Sequence, residues 1–144
     1  MQKLQLTTTI DINAPAANVW KGLTDTELVR RYFFGTTVKS DWTKGSPITF
    51  TGEWNGKSYE DKGTIIEITP GEYVKYSYWS SMSGTEDKPD NYANVSYRVA
   101  ENNGITTLEV TQDNIKDEAA KEHSEKSWQA MFGGLKQLLE QQVD

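Results

Sequence analysis

Ser127-Trp128-Gln129-Ala130-Met131-Phe132-Gly133-Gly134-Leu135-Lys136-Gln137-Leu138-Leu139 is the stretch that decides the fold. Trp128, Met131, Phe132, Leu135, Leu138, Leu139 and Gln142 recur at the i, i+3, i+4, i+7 spacing of one helical face. Extended back to Asp117, the predicted helix has about 26 residues and a length near 39 Å, enough to cross a whole sheet. Asp117, Glu118 and Glu122 put negative charge at the positive end of its dipole. Gly133-Gly134 costs roughly 1 kcal/mol per glycine inside a helix, so another element is expected to approach closely there.

Upstream of this helix the period changes to two. Val95, Tyr97 and Val99 alternate with polar residues, and Glu101-Asn102-Asn103-Gly104 closes a hairpin onto Thr106, Leu108 and Val110. Val74, Tyr76 and Tyr78 share another strand face. A strand from about Lys57 to Ile68 ends at the turn Thr69-Pro70-Gly71-Glu72, and Asn55-Gly56 predicts a type I′ hairpin joining it to Ile48, Phe50, Gly52 and Trp54. Ser80 to Asn91, rich in Ser, Gly, Asp and Pro, is predicted to be a long mobile loop. At the start of the chain, Leu4, Leu6, Thr8, Ile10 and Ile12 alternate as a half-buried strand. Pro15 to Leu23 then predicts a short helix anchored by Val19 and Trp20. Thr24-Asp25-Thr26-Glu27 matches a capping box that opens a second short helix, which Gly35 ends. The order is strand, two short helices, a run of strands and one long helix, with the sheet expected to be antiparallel throughout.

The chain has 144 residues, a length that fits one domain. Its composition, 35% hydrophobic and 25% charged, is globular and excludes disorder as the main state. With 15 basic against 21 acidic residues and a net charge of −6, it lacks the basic footprint that nucleic acid binding needs. Without cysteine there is no disulfide, thiolate metal site or thiol nucleophile. The longest hydrophobic runs, such as Tyr32 to Phe34, have three residues, against the ~20 that span a bilayer. The N-terminal residues lack the apolar segment of a signal peptide, so a soluble cytoplasmic protein is expected.

The ordered pieces also resemble a known family over essentially the full chain. They are Ile12-Asn13-Ala14-Pro15 with Val19-Trp20 and Leu23-Thr24-Asp25, and Lys62-Gly63-Thr64-Ile65-Ile66-Glu67-Ile68-Thr69-Pro70 running into Tyr73 to Tyr76. The last is Gly104 to Val110 followed by Trp128 and Leu135-Lys136-Gln137-Leu138-Leu139. Together they resemble the START-like (SRPBCC) helix-grip superfamily and, within it, the activator of Hsp90 ATPase homologue 1-like family. The resemblance implies a single α+β domain over residues 1–144 with the START/Bet v 1-like fold. That fold is a curved antiparallel sheet around a long C-terminal helix, with two short helices after the first strand and a cavity between sheet and helix. It also implies three functions: binding of a small hydrophobic or aromatic ligand, an Hsp90-activator-like interaction, or cyclase- or aromatase-like catalysis in the cavity. The chain length leaves no room for the extra N-terminal domain of full-length activators, which argues against an Hsp90-type partner. The exposed edge of the sheet permits a homodimer without requiring one.

Sixteen aromatic residues support a cavity independently, because tyrosine and tryptophan bring polar tips that need partners when buried. Either the rings fill the core or some of them border a ligand. The candidate lining residues are Phe50, Trp54, Tyr76, Tyr78 and Tyr97 from the sheet, Tyr32 and Phe34 from the second short helix, and Trp128 and Phe132 from the long one. A one-residue error in strand parity would invert these lists.

No catalytic set, metal site or cofactor is expected. His123, the sole histidine, lies among Lys121, Glu122, Glu125 and Lys126 and reads as a solvated face residue. Ser124 and Ser127, at i+1 and i+4 on the same helix, do not complete a nucleophile, base and orienter geometry. Glu53, Glu60-Asp61, Glu67 and Glu109 offer carboxylates for acid or base chemistry only if buried, and most are expected to face water. Arg98, between Tyr97 and Val99, is expected on the outer face. Asn94-Val95-Ser96 matches the glycosylation acceptor pattern by chance.

Overall fold

The structure, a computed structural model, describes residues 4–33, 35–54, 56–80 and 85–140, with only the backbone of Trp54. The predicted lining side chains of Phe34 and Trp54, Asn55 of the predicted turn, and Gln142 lie outside the described residues. The elements run β1 (Leu4–Ile12), α1 (Ala16–Thr24), α2 (Thr26–Tyr32), β2 (Thr37–Ser40), β3 (Pro47–Trp54), β4 (Lys57–Thr69), β5 (Tyr73–Ser80), β6 (Ala93–Asn102), β7 (Ile105–Ile115) and α3 (Glu118–Glu140). Among the described residues the strands form one sheet in the order β1-β7-β6-β5-β4-β3-β2, every neighbouring pair antiparallel. This is the helix-grip, Bet v 1-like fold.

Alternation fixes the buried face. Val74 and Tyr76, Val95, Tyr97 and Val99, and Leu108 and Val110 all point inward and are buried. The β6–β7 hairpin turns through Asn103 and Gly104, both at positive φ (55° and 83°), as a type I′ turn requires. The sheet curves at β4, where its register with β5 shifts between Ile65 and Glu67. There Gly63 lies so close to the Ser77 carbonyl that any Cβ would collide with it, and Thr64 N donates to Ser77 Oγ at 2.9 Å.

Three local expectations change. The cap of α2 is Asp25, which accepts from Glu27 N at 2.9 Å and Leu28 N at 3.1 Å. Thr24 still belongs to α1, and its hydroxyl bonds back to the Trp20 carbonyl at 3.0 Å, so it is not free to cap. Strand β2, absent from the periodicity reading, has four residues of which only Val38 is buried, too few to show alternation. Asp61, grouped with the water-facing carboxylates, is instead buried on the inner face, opposite the buried Phe50.

Helix α3 begins at a cap in which Asp117 Oδ1 accepts from Ala120 N at 2.8 Å. It lies along β1, held by Lys136 Nζ donating to the Asp11 carbonyl at 2.7 Å and by Asn13 N donating to Glu140 Oε2 at 2.8 Å. The Lys136 hydrogen bond, and then the Asn13 N–H, hold the Glu140 carboxyl below its ordinary pKa. Met131, Phe132, Leu135 and Leu139 form the buried face, and the glycine pair has its expected reason at Gly134. A Cβ there would stand 3.3 Å from Tyr32 Cβ, so α2 packs directly against the α3 backbone, whereas Gly133 has open space. Gly22 of α1 similarly makes room for Leu135. The two short helices thus close one end of the grip over the C-terminal half of α3.

Candidate functional site

Between the N-terminal half of α3 and the concave face of the sheet lies a cavity of about 250 Å³. Tyr76 and Tyr78 of β5, Val95 of β6 and Gln112 of β7 form its floor, and Phe33, just past α2, closes one side. Trp128 and Met131 of α3 form the roof, and His123, Ser124 and Ser127 stand at the mouth. A cavity of ~150 Å³ accommodates benzene, so there is room for a bicyclic aromatic.

The polar tips of the buried rings find partners within the protein. Tyr76 Oη and Tyr97 Oη share a buried hydrogen bond at 2.6 Å, and Tyr32 Oη donates to the Gly22 carbonyl at 2.8 Å. Tyr78 Oη donates to Asp61 Oδ2, and Trp128 Nε1 donates to Gln112 Oε1 at 2.8 Å. No buried side-chain polar atom among the described residues lacks a partner. Burial is the main force raising the pKa values of Tyr32, Tyr76, Tyr78 and Tyr97 well above the ordinary tyrosine value of 10.0. At Tyr78 the Asp61 charge adds to it. These phenols are neutral at physiological pH.

Of the predicted lining residues, the structure brings Tyr76, Tyr78 and Trp128 to the cavity. Tyr32, Phe50, Tyr97 and Phe132 lie deeper. Tyr97 meets Phe132 and Tyr76 edge-on, each at 5.5 Å between ring centroids, and Phe132 stacks under Trp128 at 5.5 Å. Tyr32, Phe50 and Tyr97 surround a separate void of only about 10 Å³, and Phe33 and Tyr76 border both spaces. Core filling and cavity lining therefore both hold, for different rings.

Phe33, Val95, Gln112 and Met131 were missed. Val95 lies on a predicted strand and Phe33 just past the second short helix, but which strand ends lie under which turn of α3 is a tertiary fact. His123 is exposed, as expected, yet stands at the rim. Its neighbours there are Ser124 and Ser127. Among the described residues no group of three or more His, Cys, Asp or Glu residues could hold a metal ion. Arg98 is exposed and stacks on the Tyr73 ring at 4.6 Å.

Ser80 belongs to β5, and the described part of the connection that follows it is tied to the sheet. Asp87 pairs with Lys62 at 2.5 Å and accepts from Tyr92 Oη at 2.5 Å. Asn114 Nδ2 donates to the carbonyls of Asp90 (3.1 Å) and Tyr92 (3.0 Å).

The profile of the activator of Hsp90 ATPase homologue 1-like family matches residues 13–140. The chain belongs to this family. Among solved structures, the Cytophaga hutchinsonii protein ChR145 is 42% identical, with a TM-score of 0.85 over 97% of this chain and 96% of that one. PFC0360w, an HSP90 activator from Plasmodium falciparum, is 17% identical with a TM-score of 0.73, covering 94% and 96% of the two chains. Ara h 8.0201 reaches a TM-score of 0.75 at 11% identity over 97% and 99%. At such low identity the last two show the shared fold alone. Among curated proteins none matches significantly. Among the described residues no helix is long and apolar enough to cross a membrane.

Proposed function

We propose that the protein is a cytoplasmic binding module for a small apolar or aromatic ligand held between α3 and the sheet. The observation that carries this reading is the cavity itself. About 250 Å³ is bordered by Tyr76, Tyr78, Val95, Trp128 and Met131, and the polar tips of its aromatic rings are already satisfied. Water there has few groups to bind, so replacing it with apolar surface is favourable by ~25 cal/mol per Å² buried. Among the described residues no cysteine or histidine cluster borders the cavity, and the one buried carboxylate, Asp61, stands behind Tyr78 without lining it, which favours binding over bond making.

A thermal-shift screen of aromatic metabolites, sterols and apolar acids tests this reading, since a ligand selective for the folded state must raise the melting temperature saturably. Ser127→Trp supplies the control. Ser127 is exposed on α3 at the mouth, so the indole fills the cavity without removing any core contact. The variant is expected to fold and to lose the shift. Shifts that survive in this variant would move binding elsewhere.

The family match favours one second reading, a protein contact of the Hsp90-activator kind. It predicts that the purified chain raises the ATP turnover of an Hsp90-type chaperone, and unchanged turnover removes it.

A further inference from the structure

Asp61 is the one carboxylate among the buried polar residues of the described chain, with 8% of its surface exposed. It sits on the concave face of β4, opposite Phe50 on one side and Ser80 on the other. Tyr78, which borders the cavity, donates its phenol proton to Asp61 Oδ2. A buried carboxylate is costly unless hydrogen bonds hold it, and an apolar pair at these two positions would fill the same space at less cost. The arrangement is also directional. With its proton committed to Asp61, Tyr78 Oη has only acceptor capacity left. The other polar group of the floor, Gln112, has its carbonyl oxygen engaged by Trp128 Nε1.

We infer that the Asp61–Tyr78 pair is the polar subsite of the cavity, and that it selects an aromatic ligand carrying a hydroxyl or N–H donor while rejecting a carboxylate. The inference rests on the cavity being a ligand site and names the class of ligand it takes. A donor on the ligand completes the chain donor to Tyr78 Oη to Asp61, and the negative charge at its end strengthens each bond. An ether of the same shape donates nothing to Tyr78 Oη, whose acceptor lone pair then goes unused once water is displaced. A carboxylate placed there faces Asp61 with like charge. Neighbouring Tyr59 is no substitute, because it does not line the cavity and its hydroxyl is joined to buried Thr36 at 2.5 Å.

The test uses the full chain at pH 7 with three matched probes, 2-naphthol, 2-methoxynaphthalene and 2-naphthoate, titrated by calorimetry and by amide chemical-shift perturbation. The expected result is that 2-naphthol binds at least about tenfold tighter than either of the others. In Tyr78→Phe its affinity should fall to that of 2-methoxynaphthalene, which itself changes little. Asp61→Asn should narrow the gap between naphthol and naphthoate. Equal affinities of the wild-type protein for 2-naphthol and 2-methoxynaphthalene, with shifts at Val95, Gln112 and Met131, would overturn this inference and leave the cavity as a ligand site. No binding of any probe would overturn both. The wild-type comparison decides even if Tyr78→Phe does not fold.

Discussion

Tyr76 and Tyr97 are nearly inaccessible, 2% and 5% exposed, and their hydroxyls are joined at 2.6 Å beneath the cavity floor. Removing one hydroxyl by Tyr97→Phe leaves the other buried without that partner. The expected cost is about 1–3 kcal/mol, the desolvation penalty of an unpaired buried group. Tyr76→Phe is expected to cost about the same, since each hydroxyl depends on the other. In the double variant neither group is stranded, and the rings retain their edge-to-face contact at 5.5 Å. Its cost is therefore expected to fall short of the sum of the singles by at least roughly 1 kcal/mol. Urea denaturation of all four proteins, followed by far-UV circular dichroism, measures the cycle directly. The midpoints should shift with unchanged slopes, because the surface exposed on unfolding is the same. Single-variant costs that add to within ~0.5 kcal/mol would refute the reasoning, because that is what independent sites do.

The neighbouring glycines of α3 should respond in opposite directions: Gly133→Ala, which meets open space, is expected to raise the melting temperature by about 2–4 °C through helix propensity. Gly134→Val, aimed at Tyr32, is expected to lower it, and scanning calorimetry of both variants reads the difference. Alkaline pH should unfold the protein cooperatively. Tyr32, Tyr76, Tyr78 and Tyr97 have folded pKa values above the unfolded value of 10.0, so their contribution is intact below pH 10 and is lost as pH rises toward those folded values. Each buried phenol can withdraw about 1.4 kcal/mol per pH unit over that window. Near-UV circular dichroism should hold to about pH 10 and then collapse together with tyrosinate absorbance. Gradual ionisation with intact dichroism would contradict this.

How far the sequence could be read depended on whether a signal was local. The β6–β7 hairpin was legible because Asn103-Gly104 must adopt positive φ between two alternating strands, and α3 because its apolar face repeats over several turns. Strand β2 was not, since one buried valine in four residues carries no period, and it is held largely by pairing with β3 and by Thr26 Oγ1 donating to the Val38 carbonyl at 2.8 Å. Asp61 was misplaced because residues 57–62 offer almost no apolar marker, and the inner face is set by Phe50 across the ladder. Within the site, Tyr76, Tyr78 and Trp128 followed from parity and helical phase. Which rings line the cavity and which fill the core beneath it depends on the tilt of α3 over β5, β6 and β7, which no local pattern records. The resemblance supplied the architecture, and the distances between named side chains supplied the chemistry.

Native mass spectrometry of the freshly purified protein, compared before and after solvent extraction, tests the ligand-binding reading most directly. The account predicts a small aromatic or apolar compound that co-purifies at up to one equivalent with the wild-type chain and is absent from Ser127→Trp. Wild-type protein that carries nothing and takes up no aromatic probe, in the same folded state, would contradict it.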